Sequence, residues 1–380
     1  MAGLYGETAL YIHIPFCEKK CRYCGFYSEP IEFHNVQALI DALICEIERY
    51  QYQLGQNIQT AYIGGGSPSI LPREQLLKLV GKIINSCSEV EEFTVEVNPG
   101  QVDEDILCRL RNSGINRLSI GAQSFNQNEL DFLGRGHSPE SIKRAVAAAR
   151  KSGFGNISLD LIFAIPGSTL QSWEYSLHCA IDLGVEHISA YSLTYEEQTT
   201  LEKLRQAGKI VIVDEETDRA MYEMAVDELE KSRFVQYEIS NFAKAGFECR
   251  HNLFYWANKS YIGIGPAATS YWQGRRVTNV ANIEKYIHLI QDGQSAVVES
   301  ETPDEIEIAC ETAVLNLRRR SGIDLMEFKE QTGFDALELF ADAIANNEQL
   351  GLIERSQGKI YLTRKALPIA DSVLCDFAGV

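Results

Sequence analysis

Through its first half the chain alternates short apolar runs with amphipathic stretches. Residues 9–14 (Ala-Leu-Tyr-Ile-His-Ile) read as a strand. Val36, Leu39, Ile40, Leu43, Ile44 and Ile47 recur at helical spacing. An apolar stretch around Ala61, Tyr62 and Ile63 predicts a second strand. It ends in Gly64-Gly65-Gly66-Ser67-Pro68, and a helix over 74–85 follows. Further strands are predicted over 93–97, 118–121, 157–162 and 187–193, with helices starting near Asp103 and after Ser168. This rhythm implies parallel strands joined by right-handed crossovers. The expected fold is α/β, a partial (β/α)6 TIM-like barrel, because six units close only part of a ring. In such barrels chemistry gathers at the C-terminal ends of the strands.

Beyond about residue 194 the alternation fades, and aromatic residues crowd the stretch from Phe247 to Trp272. An acidic segment with Pro303 marks a boundary near 299–307. Helices are predicted over 304–318, 324–331 and 335–348, then strands over 351–354 and 359–363. That order predicts a smaller, mainly helical, winged-helix-like C-terminal domain. The expected division is 1–245 for the barrel, 246–298 for a connecting segment and 299–380 for the C-terminal domain. A winged helix suggests DNA only by analogy, since fold does not fix function.

The net charge of −18 argues against nucleic acid as a partner, because phosphate binding needs clustered Lys and Arg. No apolar run reaches the roughly 18–20 residues of a membrane span, and no basic region with an apolar core opens the chain. A cytoplasmic protein is expected, and a peripheral place at the inner face of a membrane is compatible with this composition. Seven of the ten cysteines are scattered (Cys45, Cys87, Cys108, Cys179, Cys249, Cys310, Cys375) and read as small apolar side chains. A disulfide framework is not expected.

The other three, Cys17, Cys21 and Cys24, have C-x3-C-x2-C spacing on one loop. Three thiolates can hold three irons of a cubane and leave the fourth open, whereas electron-transfer ferredoxins use four cysteines. The alternative is a structural zinc site, which would need a fourth ligand such as His13.

The chain resembles the radical S-adenosylmethionine (SAM) proteins over roughly residues 8–245. Within them it is most similar to the group of oxygen-independent coproporphyrinogen III oxidases and their haem-chaperone relatives. The resemblance is carried by Leu-Tyr-Ile-His-Ile-Pro-Phe-Cys at 10–17, Gly-Gly-Gly-Ser-Pro at 64–68 and Glu-Val-Asn-Pro at 96–99. Ser-Ile-Gly-Ala-Gln-Ser-Phe at 119–125 and Asp-Leu-Ile-Phe-Ala-Ile-Pro-Gly at 160–167 complete it. It implies a [4Fe-4S] cluster on the three cysteines, whose open iron chelates SAM. It also implies that Gly65, Gly66 and Ser67 contact the SAM amino group and that Glu96 accepts from the ribose hydroxyls. Gln123 would serve the nucleoside, Arg135 would pair with the carboxylate, and Asp160 would point inward at the cofactor. Tyr11 and Tyr23 flank the cluster in the family pattern, and either could equally be a core aromatic.

Two departures separate the chain from the oxidases. They carry a further cysteine two residues after the third, where this sequence has Phe26. They also have a longer N-terminal extension, while here the first cluster cysteine stands at 17. Residues 251–256, His-Asn-Leu-Phe-Tyr-Trp, match the H-N-x-x-Y-W motif of the haem-chaperone branch. Imidazole is a common haem ligand, and Tyr255 and Trp256 offer flat apolar faces. Asn252 could hold the loop, and either His251 or Cys249 could ligate. The resemblance therefore implies a haem chaperone with haem, cluster and SAM as cofactors. Its implied partners are acceptor apo-haem proteins, with a homodimer supported by the cluster. Coproporphyrinogen III oxidation is the alternative.

Overall fold

The computed structural model describes residues 7–51, 58–87 and 90–379. Six β/α units open the chain. Their strands are β1 (Thr8–Ile14), β2 (Ile58–Gly65), β3 (Glu92–Val97), β4 (Arg117–Gln123), β5 (Ile157–Phe163) and β6 (His187–Ser192), paired in parallel in that order. Helices α1 (Val36–Arg49), α2 (Arg73–Ser86), α3 (Glu104–Asn112), α4 (Gln127–Leu133), α5 (Pro139–Lys151), α6 (Leu170–Asp182), α7 (Thr200–Gln206) and α8 (Glu215–Lys231) follow or join them. Several starts are fixed locally. Asn35, Asp103 and Ser138 each accept the backbone N–H three residues on, and Thr169 forms a capping box with Ser172.

The two faces of the strands differ in character. Outward positions such as Ile12, Ile63, Val95, Leu118, Leu159 and Ile188 are fully buried against the helices. The alternate, inward positions are polar: Thr60 and Tyr62, Glu92 and Glu96, Arg117 and Ser119, Ser158 and Asp160, His187 and Ser189. Filled TIM barrels pack branched apolar residues there. A polar interior needs internal partners or a ligand.

The segment 246–298, expected as a connection, extends the sheet instead. After β7 (Val235–Glu238), β8 (Asn241–Ala243) and α9 (Arg250–Trp256), strand β9 (Tyr261–Ile264) lies parallel to β1, with Ala9 opposite Tyr261. Strands β10 (Thr269–Trp272), β11 (Arg275–Asn279) and β12 (Val297–Glu301) continue antiparallel, with α10 (Ile283–Gln291) inserted. The sheet order is β12-β11-β10-β9-β1-β2-β3-β4-β5-β6-β8-β7. Its two ends leave an open flank.

The remainder comprises α11 (Glu305–Arg318), β13 (Ile323–Asp324), α12 (Leu325–Thr332), α13 (Ala336–Leu339), α14 (Ala341–Gln349), β14 (Ile353–Ser356), β15 (Lys359–Leu362) and α15 (Ala370–Cys375). The helix expected over 335–348 breaks at Phe340, which buries its ring against Phe328 and Phe377. The hairpin gains β13 as a third strand.

Candidate functional site

Over the strand ends lies a cavity of about 850 Å³. Cys17, Cys21 and Cys24 all open onto it and are partly exposed. Their loop is closed at its root, where Phe16–Cys17 pairs with Glu29–Pro30. It is pinned further out, where Arg22 N donates to Leu133 O (3.0 Å) and Leu201 N donates to Arg22 O (2.8 Å). The glycine run presses against the same root. Gly66 N donates to Ile14 O (2.8 Å), and a Cβ on Gly66 would stand 2.4 Å from the Phe16 carbonyl oxygen. Gly65 has φ +104°, with the His13 ring 2.5 Å from where its Cβ would be.

His13 is committed elsewhere. Its Nε2 lies 2.8 Å from Tyr27 O and its Nδ1 3.0 Å from the Tyr11 hydroxyl. Both ring nitrogens are therefore engaged, and His13 is no fourth ligand for zinc. Among the described residues no three His, Cys, Asp or Glu side chains converge on one ion. A cubane puts each thiolate on a different iron, and three cysteines opening onto one cavity fit such a cluster. Burial pushes the Cys24 thiol up to about 11, and raises that of Cys17 too.

Around this loop the expected SAM residues assemble. Arg135 is held by Gly121 O (2.9 Å from Nη2), and its Nη1 reaches Cys21 Sγ at 3.5 Å. Gln123 ends β4 with φ +66°, at a break in the ladder to β5. Such a backbone costs of order 1–3 kcal/mol and recurs at ligand sites. Glu96 accepts from the Tyr62 hydroxyl (2.8 Å) and Gly65 N (3.2 Å). Asp160 accepts from Ser189 (2.8 Å) and Ser119 (3.0 Å). Ser67 donates to Gln101 (2.6 Å). Gly65, Gly66, Ser67, Tyr23, Glu96, Gln123, Arg135 and Asp160 all line the cavity. Tyr11 does not; it lies deeper, its ring 6.3 Å from that of Tyr62. Sequence reading passed over Tyr62, Arg117, Ser119 and Ser189, which also line it. Their signal was the polar residue at every second position of an otherwise apolar strand.

Burial pushes the Glu96 carboxyl up to about 7 from its ordinary 4.5. Between those values the folded chain binds a proton that the unfolded chain has released, so stability falls as pH rises through that window. Glu96→Gln has no such proton to lose. Urea unfolding of the ligand-free protein from pH 4 to 8 should show wild type losing stability relative to Glu96→Gln up to about pH 7. A constant difference between them would show that Glu96 titrates normally.

A second cavity, about 1450 Å³, occupies the open flank between the turn from β7 to β8, α9 and α11. Asn252, Tyr255 and Trp256 line it, and Tyr191 and Asn252 line both cavities. His251 and Cys249 line neither. The His251 ring is buried, stacked on Tyr62 (5.0 Å between centroids), with Nδ1 2.9 Å from Thr60 Oγ1. Burial, with Arg117 nearby, pushes its pKa down to about 3, so the ring is neutral. Cys249 Sγ lies 3.6 Å from Glu92 Oε1. Glu92 also accepts the first amides of α9, from Arg250 N (3.1 Å) and His251 N (3.0 Å). Adjacent residues on a short helix thus divide between barrel interior and flank.

A profile of the radical SAM superfamily matches residues 11–180, and one of the HemN C-terminal domain matches residues 304–369. The chain is 38% identical over 376 residues to the heme chaperone HemW of Bacillus subtilis, covering 97% of this chain and 98% of that protein. To HemW of Lactococcus lactis it is 32% identical, with 98% of each covered. Among solved structures it is similar to the coproporphyrinogen III oxidase HemN from Escherichia coli, a radical SAM enzyme. There the TM-score is 0.85 at 21% identity, over 98% of this chain and 90% of that one. At that identity the likeness shows the fold: an α/β radical SAM barrel with a HemN-type C-terminal domain.

Proposed function

This chain belongs to the HemW family of radical SAM proteins, and from that premise we propose that it is a haem chaperone. Cys17, Cys21 and Cys24 would hold a [4Fe-4S] cluster. Glu96, Gln123, Arg135 and Asp160 would hold SAM beside it, and haem would occupy the flank cavity on its way to acceptor apoproteins. When bound, cluster and SAM together supply one-electron reductive cleavage of the sulfonium. The observation that carries the reading is the meeting of two cavities at one short helix. One holds the cysteine loop, the other presents Tyr255 and Trp256, and Asn252 borders both.

The protein's own residues have separable tasks. Arg135 supplies a cation beside the cysteine sulfurs, suited to a carboxylate. Glu96 and Asp160, held by Tyr62 and by serines, offer acceptors for hydroxyl groups. Tyr255 and Trp256 provide flat faces at the flank. Among the described residues His251 Nε2 has no hydrogen-bond partner, so the ring has a nitrogen to give. Ligating a haem in the flank cavity would require α9 to turn. Cys249 is the weaker candidate, because Glu92 already engages it and burial pushes its thiol up to about 12.

The proposal includes a homodimer that the cluster supports, and delivery to haem proteins at a membrane. Among the described residues no helix is long and apolar enough to cross one, so that contact would be peripheral. Phe26, exposed at the cavity mouth, stands where the oxidases carry a further cysteine. After anaerobic cluster reconstitution, one sample should be assayed for both activities. It should transfer haem to an apoprotein and release no CO2 from coproporphyrinogen III given SAM and a reductant. Robust CO2 release would sink the chaperone reading.

A further inference from the structure

The flank cavity is lined by five carboxylates (Glu238, Glu301, Asp304, Glu307, Glu311) and two arginines (Arg276, Arg318), and these groups differ in how fully their hydrogen bonds are met. Arg276 is satisfied, its Nη2 donating to both oxygens of Glu311 (2.9 and 2.8 Å) and its Nη1 to Glu301 (2.5 Å). Asp304 and Glu307 are engaged in the capping box that starts α11. Arg318 is left over. Its nearest carboxylate is Asp371, 3.6 Å away on a side chain that is 94% exposed, and such pairs contribute little. Its guanidinium lies over the Trp256 ring, 4.8 Å from the centroid. Among the described residues neither Arg318 Nε nor Trp256 Nε1 has a hydrogen-bond partner, although both atoms are buried.

Two buried donors side by side without an acceptor are costly unless something supplies one. The same wall holds a second unfinished pair. Glu238 is fully buried; its Oε1 takes Ser240 N (3.0 Å) and Asn241 Nδ2, while Oε2 takes nothing among the described residues. Asn241, 2% exposed, likewise leaves Oδ1 unpartnered. Burial raises the Glu238 carboxyl, while its bond from Asn241 and the charge of Arg318 lower it.

We propose that the flank cavity recognises its ligand through carboxylate groups, with Arg318 and Trp256 as donors and Glu238 beside them. The ligand class is then a carboxylate-bearing tetrapyrrole, its macrocycle against Tyr255 and its acidic edge toward the start of β8 and the end of α11. The cavity exceeds the roughly 300–1,000 Å³ usual for small ligands. This inference rests on the haem-carrier reading and adds to it the groups that select the ligand.

The test compares haemin with haemin dimethyl ester, which keeps the macrocycle and iron but lacks free carboxylates. Both are titrated into the full-length protein and followed by Soret absorbance. Wild type should prefer haemin by about tenfold or more, the worth of a charged hydrogen bond. Arg318→Gln should lose most of that preference while binding the ester as before, and Arg318→Lys should recover part of it. Trp256→Phe keeps the ring and should lose a smaller share, about threefold, as a neutral hydrogen bond predicts. Equal affinity of wild type for haemin and ester would overturn the inference without any variant having to fold. So would a full preference retained by Arg318→Gln. If wild type binds neither ligand, the haem-carrier reading fails, and this inference with it.

Discussion

Cys24→Ser is expected to lower iron and sulfide after anaerobic reconstitution to near background and to abolish SAM binding. Haemin affinity at the flank cavity should stay within about twofold of wild type, as for sites that share few partners. The reason is geometric. Each cysteine of the loop would hold a different iron, so losing one removes a corner that no neighbour can supply: His13 has both nitrogens engaged. The fold should survive, since Cys24 is partly exposed and the loop is pinned through the backbone of Arg22 and Phe16. Among the described residues the linings of the two cavities share Tyr191 and Asn252. Iron by mass spectrometry, SAM by equilibrium dialysis and haemin by absorbance on one preparation decide the matter. Iron retained by Cys24→Ser would remove the cluster assignment. Haemin affinity that collapses together with iron would mean that the two cavities act as one coupled site.

The strands and the cysteine loop were legible because their signals are local. An apolar run flanked by glycine or an acidic cap defines a β/α unit within about thirty residues. The pairing of β9 with β1 is not local: Tyr261 lies opposite Ala9, and nothing near either residue announces the other. That is why 246–298 read as a connection. The same limit applied inside the site. Glu96, Gln123, Arg135 and Asp160 stood out by motif, whereas Ser119 and Ser189 required recognition that alternate strand positions face a polar interior. Motif composition also could not tell which way each side chain of a seven-residue helix turns. His251 faces Thr60 inside the barrel, while Tyr255 and Trp256 face the flank. Chemistry suggested all of them for the ligand; packing divides them.

Glu92→Ala is expected to destabilise the protein by about 3–5 kcal/mol, the cost of breaking a buried charged network from one side. Glu92 stands on the inner face of β3 and is 5% exposed. Helix α9 starts at Cys249 without a side-chain cap of its own, and Glu92 supplies the missing acceptors to Arg250 N and His251 N. A carboxylate there also favours the positive end of the helix. It is a countercharge for Arg117, which is 2% exposed and leaves Nε unpartnered among the described residues. Alanine would orphan two amides and remove one countercharge of that guanidinium, leaving Glu96 and Asp160 to face it. Glu92→Gln keeps the shape and one carbonyl acceptor but not the charge, so it should cost less, about 1–3 kcal/mol. Because α9 presents Asn252, Tyr255 and Trp256 to the flank, haemin affinity should fall with helix order in the series wild type, Gln, Ala. Iron loading, which depends on the opposite end of the barrel, should change little. Urea unfolding and haemin titration on the three proteins test this directly. Equal stability of Glu92→Ala and wild type would show that α9 does not need its anchor. An iron loss matching the haemin loss would show that Glu92 holds up the whole barrel and not the motif helix in particular.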